Sequence, residues 1–317
     1  MTGAPPLRIV FMGTPEFAVP SLEALLRRGH RVAAVVTQPD RPRGRGRAPR
    51  PSPVKEAATR AGIEVLQPES VRDPAFIARV RELAPDFLVV AAYGQILPEA
   101  LLAVPRRHPV NVHASLLPAY RGAAPIQWAI LNGETETGIT LMVMDRGMDT
   151  GPVLLQRALE IGPDETFGEL LPRMARLGAE VLVEGLDRLA AGEIQPMPQP
   201  GEGISLAPPI RPEMARVDWH TPAARLAGLL RALDPRPGAY TTWAGERLRL
   251  FRPFLPGGPA PTAPPGTVLS AGADGLVVAA ADAPLGIREL QRPGGRRLPV
   301  ADFLRGRPLA PGTRLSP

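Results

Sequence analysis

Residues 7–36 read LRIVFMGTPEFAVPSLEALLRRGHRVAAVV, and this stretch decides the fold class. Residues 7–12 form a short apolar run that stops at Gly13-Thr14-Pro15, the mark of a strand entering a tight turn. Between Phe17 and Leu26 apolar side chains recur at helical spacing and cease before Gly29; residues 31–36 are a second, β-branched run. Strand, helix, strand in such close order is the unit of a parallel sheet with helices on both faces. The alternation continues outward. Residues 54–61 read as helix and 63–66 as extended chain, and Asp73 is placed to cap a helix carrying Phe76, Ile77, Val80 and Leu83. Residues 87–92 are a near-continuous apolar run bounded by Pro85 and Gly94, which predicts a strand buried on both faces. Residues 140–144 continue the β pattern. From Thr166, the positions Leu170, Met174, Leu177, Val181 and Leu189 trace a long amphipathic helix that ends at Gly192.

Beyond Gly192 the character changes. Residues 196–212 are rich in proline and glycine with little periodicity, so 193–211 reads as a linker. Residues 221–233 are helical, and short extended runs follow at 239–243, 247–254, 267–270, 276–280 and 286–290, with Asp274-Gly275 as a hairpin signal. A small OB-like barrel of about five strands is the expected second domain. The length of 317 residues agrees with two domains at roughly 150 residues each.

Composition narrows the chemistry. With no cysteine, disulfide scaffolds, cysteine zinc sites, iron–sulfur clusters and thiol catalysis are excluded. The four histidines (His30, His108, His113, His220) are scattered, so no metal is expected; with no G-x-G-x-x-G after the first strand, neither is a nicotinamide cofactor. No signal core or long uncharged apolar run is present, so a cytoplasmic protein without membrane attachment is expected. The net charge of +6 is unevenly spread. Residues 212–317 hold 14 Arg against 8 acids and account for all of it, leaving 1–211 neutral. Within that neutral part, Arg41, Arg43, Arg45, Arg47 and Arg50 form an acid-free stretch. One loop and one C-terminal region therefore concentrate positive potential, a pattern that attracts a polyanion.

The segment with most chemical content is 111–118 (NVHASLLP), followed by 121–127 (RGAAPIQ). If residues 110–113 are a strand, Asn111 and His113 project from one face, an amide beside an imidazole at the strand's carboxyl end. Ligands of open α/β sheets bind at such ends. Asp149, in the glycine-rich turn of 144–154 (MDRGMDTGPVL), is a third polar candidate that by itself reads as a turn former.

Together with 8–21 (RIVFMGTPEFAVPS), 37–55 (TQPDRPRGRGRAPRPSPVK), 86–98 (DFLVVAAYGQILP), 216–219 (RVDW) and 233–240 (LDPRPGAY), these segments resemble the methionyl-tRNA formyltransferase family over nearly the whole chain. The resemblance implies a Rossmann-like catalytic domain over 1–192, the linker 193–211 and an OB-like tRNA-binding domain over 212–317. It implies transfer of a formyl group from 10-formyltetrahydrofolate to the amine of methionyl initiator tRNA, by a monomer. Attack of an amine on a formyl carbon creates an oxyanion and an ammonium, so such a site needs donors for the oxyanion and a relay for the amine proton. By the resemblance, Asn111 and His113 hold the formyl oxygen, while Asp149 orients or charges His113 and helps to shuttle the proton. Ser115, Leu116, Leu117 and Pro118 line the folate pocket. Ala91, Ala92, Tyr93, Gly94, Gln95, Ile96 and Leu97 offer backbone groups to the pterin ring. Arg45, with Arg43 and Arg47 beside it, inserts at the weak first base pair of the acceptor stem, and the basic barrel tracks the sugar-phosphate backbone. The chain departs from the family at Ala114, where glycine is common, and at Ala119 and Pro209, where basic residues are common; no contact is carried over to the last two. Two other readings share these features. One is a folate-dependent formyl transferase or hydrolase for a small amine, a sugar nucleotide or water; the other is a non-catalytic RNA-binding protein that keeps the fold.

Overall fold

The computed structural model describes residues 6–42 and 49–317. Arg43, Arg45 and Arg47 lie outside the described residues. The chain divides into two compact units. The first comprises residues 1–125, 137–160 and 171–208; the second comprises 126–136, 161–170 and 209–317.

The first unit is built on a seven-stranded sheet whose parallel part follows the apolar runs. Its strands are β1 (Arg8–Gly13), β2 (Arg31–Val36), β3 (Val65–Leu66), β4 (Phe87–Ala91), β5 (His108–His113), β6 (Glu136–Val143) and β7 (Val153–Glu160). They lie in the order β7-β6-β5-β4-β1-β2-β3. Strands β1 to β5 pair in parallel and β6 runs antiparallel to β5. Every residue of β4 is buried, as a continuous apolar run requires of a central strand. The register is helped by Asp86, whose carboxylate accepts from the Arg8 amide at 2.8 Å. Helix α1 (Val19–Arg27) follows a single 3₁₀ turn, so the predicted helix begins tighter than α, with Pro20 in its first turn. Ser52 caps α2 (Pro53–Arg60) through the Lys55 amide, and Asp73 caps α3 (Pro74–Glu82) through the Ala75 amide. Val10, Met12, Leu88 and Val90 from the sheet pack with Phe76, Ile77 and Val80 of α3.

His30, just before β2, is buried. Its Nδ1 accepts from the Leu7 amide at 3.4 Å, and its Nε2 stands 3.9 Å from Asp187 Oδ1. Burial pushes the imidazole below its usual pKa; Asp187 opposes that shift and Arg28 adds to it.

Strand β7 has no counterpart in the sequence reading. VLLQRALE consists mostly of good helix formers, but the alternating burial of this edge strand sets its conformation, so sheet pairing overrides propensity.

The second unit carries the five short runs as β8 (Tyr240–Trp243), β9 (Glu246–Phe254), β10 (Val268–Gly272), β11 (Gly275–Ala279) and β12 (Pro284–Gln291), with residues Leu298–Pro299 as a sixth, two-residue strand. The order is β8-β9-β12-β11-β10, antiparallel throughout, and Gly272 pairs with Gly275 across the predicted turn. The sheet curls over a core that includes Trp219, Leu226, Leu230, Leu250, Ile287 and Phe303. Its two edge strands are not paired with each other. Instead Ser316 bridges to Thr242 on β8, and Arg314 bridges to Thr267 at the start of β10. Among the described residues no helix is long and apolar enough to cross a membrane.

Candidate active site

Strand β5 ends at the polar pair that the sequence singles out. Asn111 pairs with Met142 of β6 and Val90 of β4, so its neighbours on both sides are structural strands. The antiparallel return from β6 to β7 passes through the turn that carries Asp149, and this brings the carboxylate back to the end of β5. Asn111 Nδ2 donates to Asp149 Oδ1 at 3.3 Å, and His113 Nδ1 lies 3.6 Å from Asp149 Oδ2. The three predicted groups therefore converge. His113 is buried and its Nε2 donates to the Tyr120 carbonyl at 3.0 Å. Both ring nitrogens thus face protein groups.

Asp149 is held in an unusual way. Its φ of +56° is left-handed, a conformation that asparagine and aspartate tolerate better than other side chains. Oδ2 accepts from the Gly122 amide at 2.9 Å. Gly122 itself has φ +126°, and a Cβ there would stand 2.6 Å from the Ala207 carbonyl oxygen, so only glycine serves this amide. Gly151 is equally confined, since a Cβ would strike the Val143 carbonyl. Within the same turn, Asp145 Oδ1 accepts from Gly147 N–H and the Thr150 hydroxyl.

Residues 197–207, within the stretch whose composition reads as a linker, are bonded into this site. Met197 and Val153 exchange backbone hydrogen bonds of 2.7 and 2.8 Å. Residues Leu206–Ala207 pair in parallel with Arg121–Gly122. Between these anchors, Gln199 Nε2 donates to the carbonyls of Asp149 and Gly151, both at 2.8 Å. Its Oε1 accepts from Arg121 Nη2 at 2.6 Å and Nε at 3.2 Å. Gln199 is the residue here that sequence reading missed; Arg121 stands in the 121–127 segment without an assigned role. A side chain serving main-chain carbonyls leaves no periodic or spacing signal.

The remaining predicted positions divide by exposure. Ser115 Oγ donates to the Ala119 carbonyl at 2.6 Å, and Thr140 Oγ1 accepts from the Leu117 amide while donating to the Ser115 carbonyl, so residues Ser115, Leu116, Leu117 and Pro118 form a braced loop. Gln156 Nε2 adds a bond to the Leu117 carbonyl at 2.8 Å. After β4, the side chains of Ala91, Tyr93 and Leu97 are buried, and Tyr93 and Leu97 join the core. Gln95 is engaged with the Val71 amide and the Glu69 carbonyl. The Tyr93 carbonyl accepts from Thr14 Oγ1 and Gln38 Nε2. Ala92, Gly94 and Ile96 are exposed, with φ +47° and +95° at the first two. Among the described residues Tyr93 Oη has no hydrogen-bond partner, and burial pushes its pKa up to about 12.

A cavity of about 410 Å³ lies on the other side of β4, at the carboxyl ends of β1 and β2. It is lined by Thr14, Gln38, Pro39, Arg41, Arg50, Ser52 and Gly94. The strand order reverses between β1 and β4, so Thr14 and Gly94 place one edge of this cavity at the crevice expected of a doubly wound sheet. Arg41 and Arg50 pair across a two-residue antiparallel ladder that ties together the two ends of the arginine loop. Lys55 and Gln67 bond to Asp40, the Lys55 hydrogen bond doing most to hold that carboxyl below the usual carboxylate range.

In the second unit four arginines lie against rings. Arg247 lies over Tyr240, Arg288 over Phe254, Arg307 over Trp243 and Arg297 over Phe251, with centroid distances of 4.6, 4.6, 4.7 and 4.1 Å. Arg297 also forks onto the buried Asp234 at 2.6 and 2.9 Å. Among the described residues no group of three or more acidic or histidine side chains is gathered to hold a metal ion.

A doubly wound sheet with an amide, an imidazole and a carboxylate at one strand end, followed by a curled antiparallel sheet, is the build of a formyl transferase. Residues 7–186 match the formyl transferase family and 209–308 match the formyl transferase C-terminal domain. The methionyl-tRNA formyltransferase of Myxococcus xanthus is 52% identical over 307 residues, covering 97% of each chain. That of Pelobacter propionicus is also 52% identical, covering 97% of this chain and 95% of its own. The chain belongs to the methionyl-tRNA formyltransferase family. Among solved structures, the fold resembles an N-formyltransferase from Helicobacter canadensis in complex with folinic acid and dTDP-3-aminofucose. The TM-score is 0.68 at 17% identity, over 90% of this chain and 100% of that one.

Proposed function

We propose that this protein, acting in the cytoplasm, transfers the formyl group of 10-formyltetrahydrofolate to the α-amino group of methionyl initiator tRNA. The observation that carries the reading is the meeting of Asn111, His113 and Asp149 at the end of β5, in a chain of this family. The exposed surface suits a folate. Ala92, Gly94 and Ile96 leave backbone groups and an apolar side chain open beside β4, and the braced loop of Ser115, Leu116, Leu117 and Pro118 stands at the end of β5. Ile96, Met148, Met197 and Leu206 are large apolar side chains left exposed on segments that carry or adjoin the site, a surface that a flat ring or a thioether side chain would cover. When bound, the folate supplies the activated formyl carbon. Asn111 Nδ2 and the His113 imidazole direct hydrogen-bond donors at the formyl oxygen as negative charge grows there. Asp149 holds His113 in orientation and takes part in removing the proton from the attacking amine. The amine is the nucleophile, so the protein supplies none; as its bond to the formyl carbon forms, the bond from that carbon to the folate nitrogen breaks, and tetrahydrofolate leaves with that nitrogen taking up the proton the amine gives up. Arg43, Arg45 and Arg47 contact the acceptor end of the tRNA, and residues 212–317 bind its backbone.

The test is formylation of methionyl initiator tRNA against methionyl elongator tRNA, with 10-formyltetrahydrofolate as donor. Only the initiator should accept the group, and Arg45→Ala should narrow the difference between them. Formylation of a sugar nucleotide with both tRNAs untouched would overturn the proposal.

A further inference from the structure

We infer that Gln199 is a positioning residue for formyl transfer, holding Asp149 in the one backbone conformation that aims its carboxylate at His113 and Asn111. This inference rests on the roles proposed above for those three groups. Asp149 sits at φ +56° in a turn whose neighbours 145–148 are exposed, so its local sequence does little to define where the carboxylate points. Apart from Asn111 and His113 themselves, two contacts define it from outside the turn. One is the Gly122 amide on Oδ2; the other is the pair of N–H donors of Gln199, which hold the carbonyls on either side of Thr150 at equal distances of 2.8 Å. All of the hydrogen-bonding capacity of the Gln199 amide is used, since the Arg121 fork takes its oxygen. Arg121 adjoins Gly122. The bonds therefore form a closed ring, from Arg121 through Gln199 to the Asp149 main chain, and from the Asp149 carboxylate back to Gly122. The strap bearing Gln199 is tied at both ends, at Met197 and at Leu206–Ala207. Within this ring the Gln199 amide donates to main-chain carbonyls and accepts from Arg121, so its donors act on the turn that carries Asp149.

Gln199→Leu keeps the bulk and removes every hydrogen bond. Expected is a fall in kcat of about 10- to 100-fold with the KM for tRNA and folate nearly unchanged, the mark of an interaction felt in the transition state. In an Asp149→Asn background the same substitution should cost less than about threefold, because the group it positions is already lost. A readout independent of turnover is the NMR chemical shift of the Gly122 amide in the ligand-free protein, since that N–H donates to Asp149 Oδ2 at 2.9 Å. In Gln199→Leu it should move toward its position in Asp149→Asn. If Gln199→Leu folds poorly, Gln199→Glu is used, which keeps an acceptor for Arg121 and loses both donors. Equal losses in the wild-type and Asp149→Asn backgrounds, or an unmoved Gly122 amide beside a lowered melting temperature, would overturn the inference and leave Gln199 a structural residue. Absence of any formyl transfer by the wild-type protein would instead remove the proposed function, with the Gly122 amide still deciding whether Gln199 positions Asp149.

Discussion

Replacing Asp149 with asparagine keeps the side chain's shape while removing its charge and one of its two acceptors. In the native site Oδ2 accepts from the Gly122 amide and faces His113, and Oδ1 accepts from Asn111. The Gly122 N–H is a fixed backbone donor, so the single oxygen of the new amide must face it. The new amino group then meets the amino group of Asn111, and that clash is relieved only if Asn111 turns its own amide over. One substitution thus strips the carboxylate from His113 and redirects the Asn111 donor. Loss of one oxyanion donor costs about 100–1,000-fold in turnover, and loss of a proton relay about 100–10,000-fold. Groups that act as a unit do not add, so the expected fall in kcat is about 1,000-fold, or about 4 kcal/mol at ~1.36 kcal/mol per tenfold. The assay is steady-state formylation of methionyl initiator tRNA with each substrate varied in turn, alongside a thermal melt to show that the variant is folded. A fall of less than about tenfold, or a loss confined to KM, would refute the reasoning.

Two further outcomes follow from buried polar groups. Tyr93→Phe removes a buried hydroxyl that finds no partner among the described residues, a group that costs about 1–3 kcal/mol when left unsatisfied. The variant should be more stable by about 1 kcal/mol in urea unfolding, and a clear destabilisation would contradict the apolar setting of that ring. For His30 the folded pKa lies below the unfolded value of 6.5, so the unfolded chain binds more protons as the solution is acidified. Its contribution to stability is therefore complete above about pH 6.5 and declines as pH falls through the folded value. Urea unfolding at about pH 7.5 and about pH 5.5 should show a smaller acid loss for His30→Asn than for the wild type, and equal losses would contradict it.

The parallel sheet was legible because its strands are apolar runs too short to be anything else, separated by helices with caps at Ser52 and Asp73. The second unit was legible because turn residues separate its five runs. Strand β7 was not, since nothing in VLLQRALE marks it as an edge strand until β6 lies beside it. The site was legible by halves. Asn111 and His113 share a face through the two-residue period of a strand, visible in any sequence. That Asp149 should reach them depends on the path of β6 and on a left-handed turn, and composition encodes neither. Periodicity is blind to Gln199, because a strap held by backbone pairing at 197 and 206–207 has no core face to repeat.

Lys55 apart, every basic side chain of the protein is arginine, and the stacked set on the second unit gives that bias a thermodynamic meaning. A cation lying on Tyr240 or Phe254 has surrendered much of its rotamer freedom before any anion arrives. Immobilising a long side chain on association costs about 0.5–1.5 kcal/mol, and these guanidinium groups are preorganised, so that loss falls on folding instead of on binding. A lysine placed there would carry the same charge on a stem free to wander and would forgo the planar contact with the ring. A surface of this kind meets a polyanion as a rigid electrostatic template, and its affinity should survive warming better than that of a lysine-bearing counterpart, since less disorder remains to be quenched on contact.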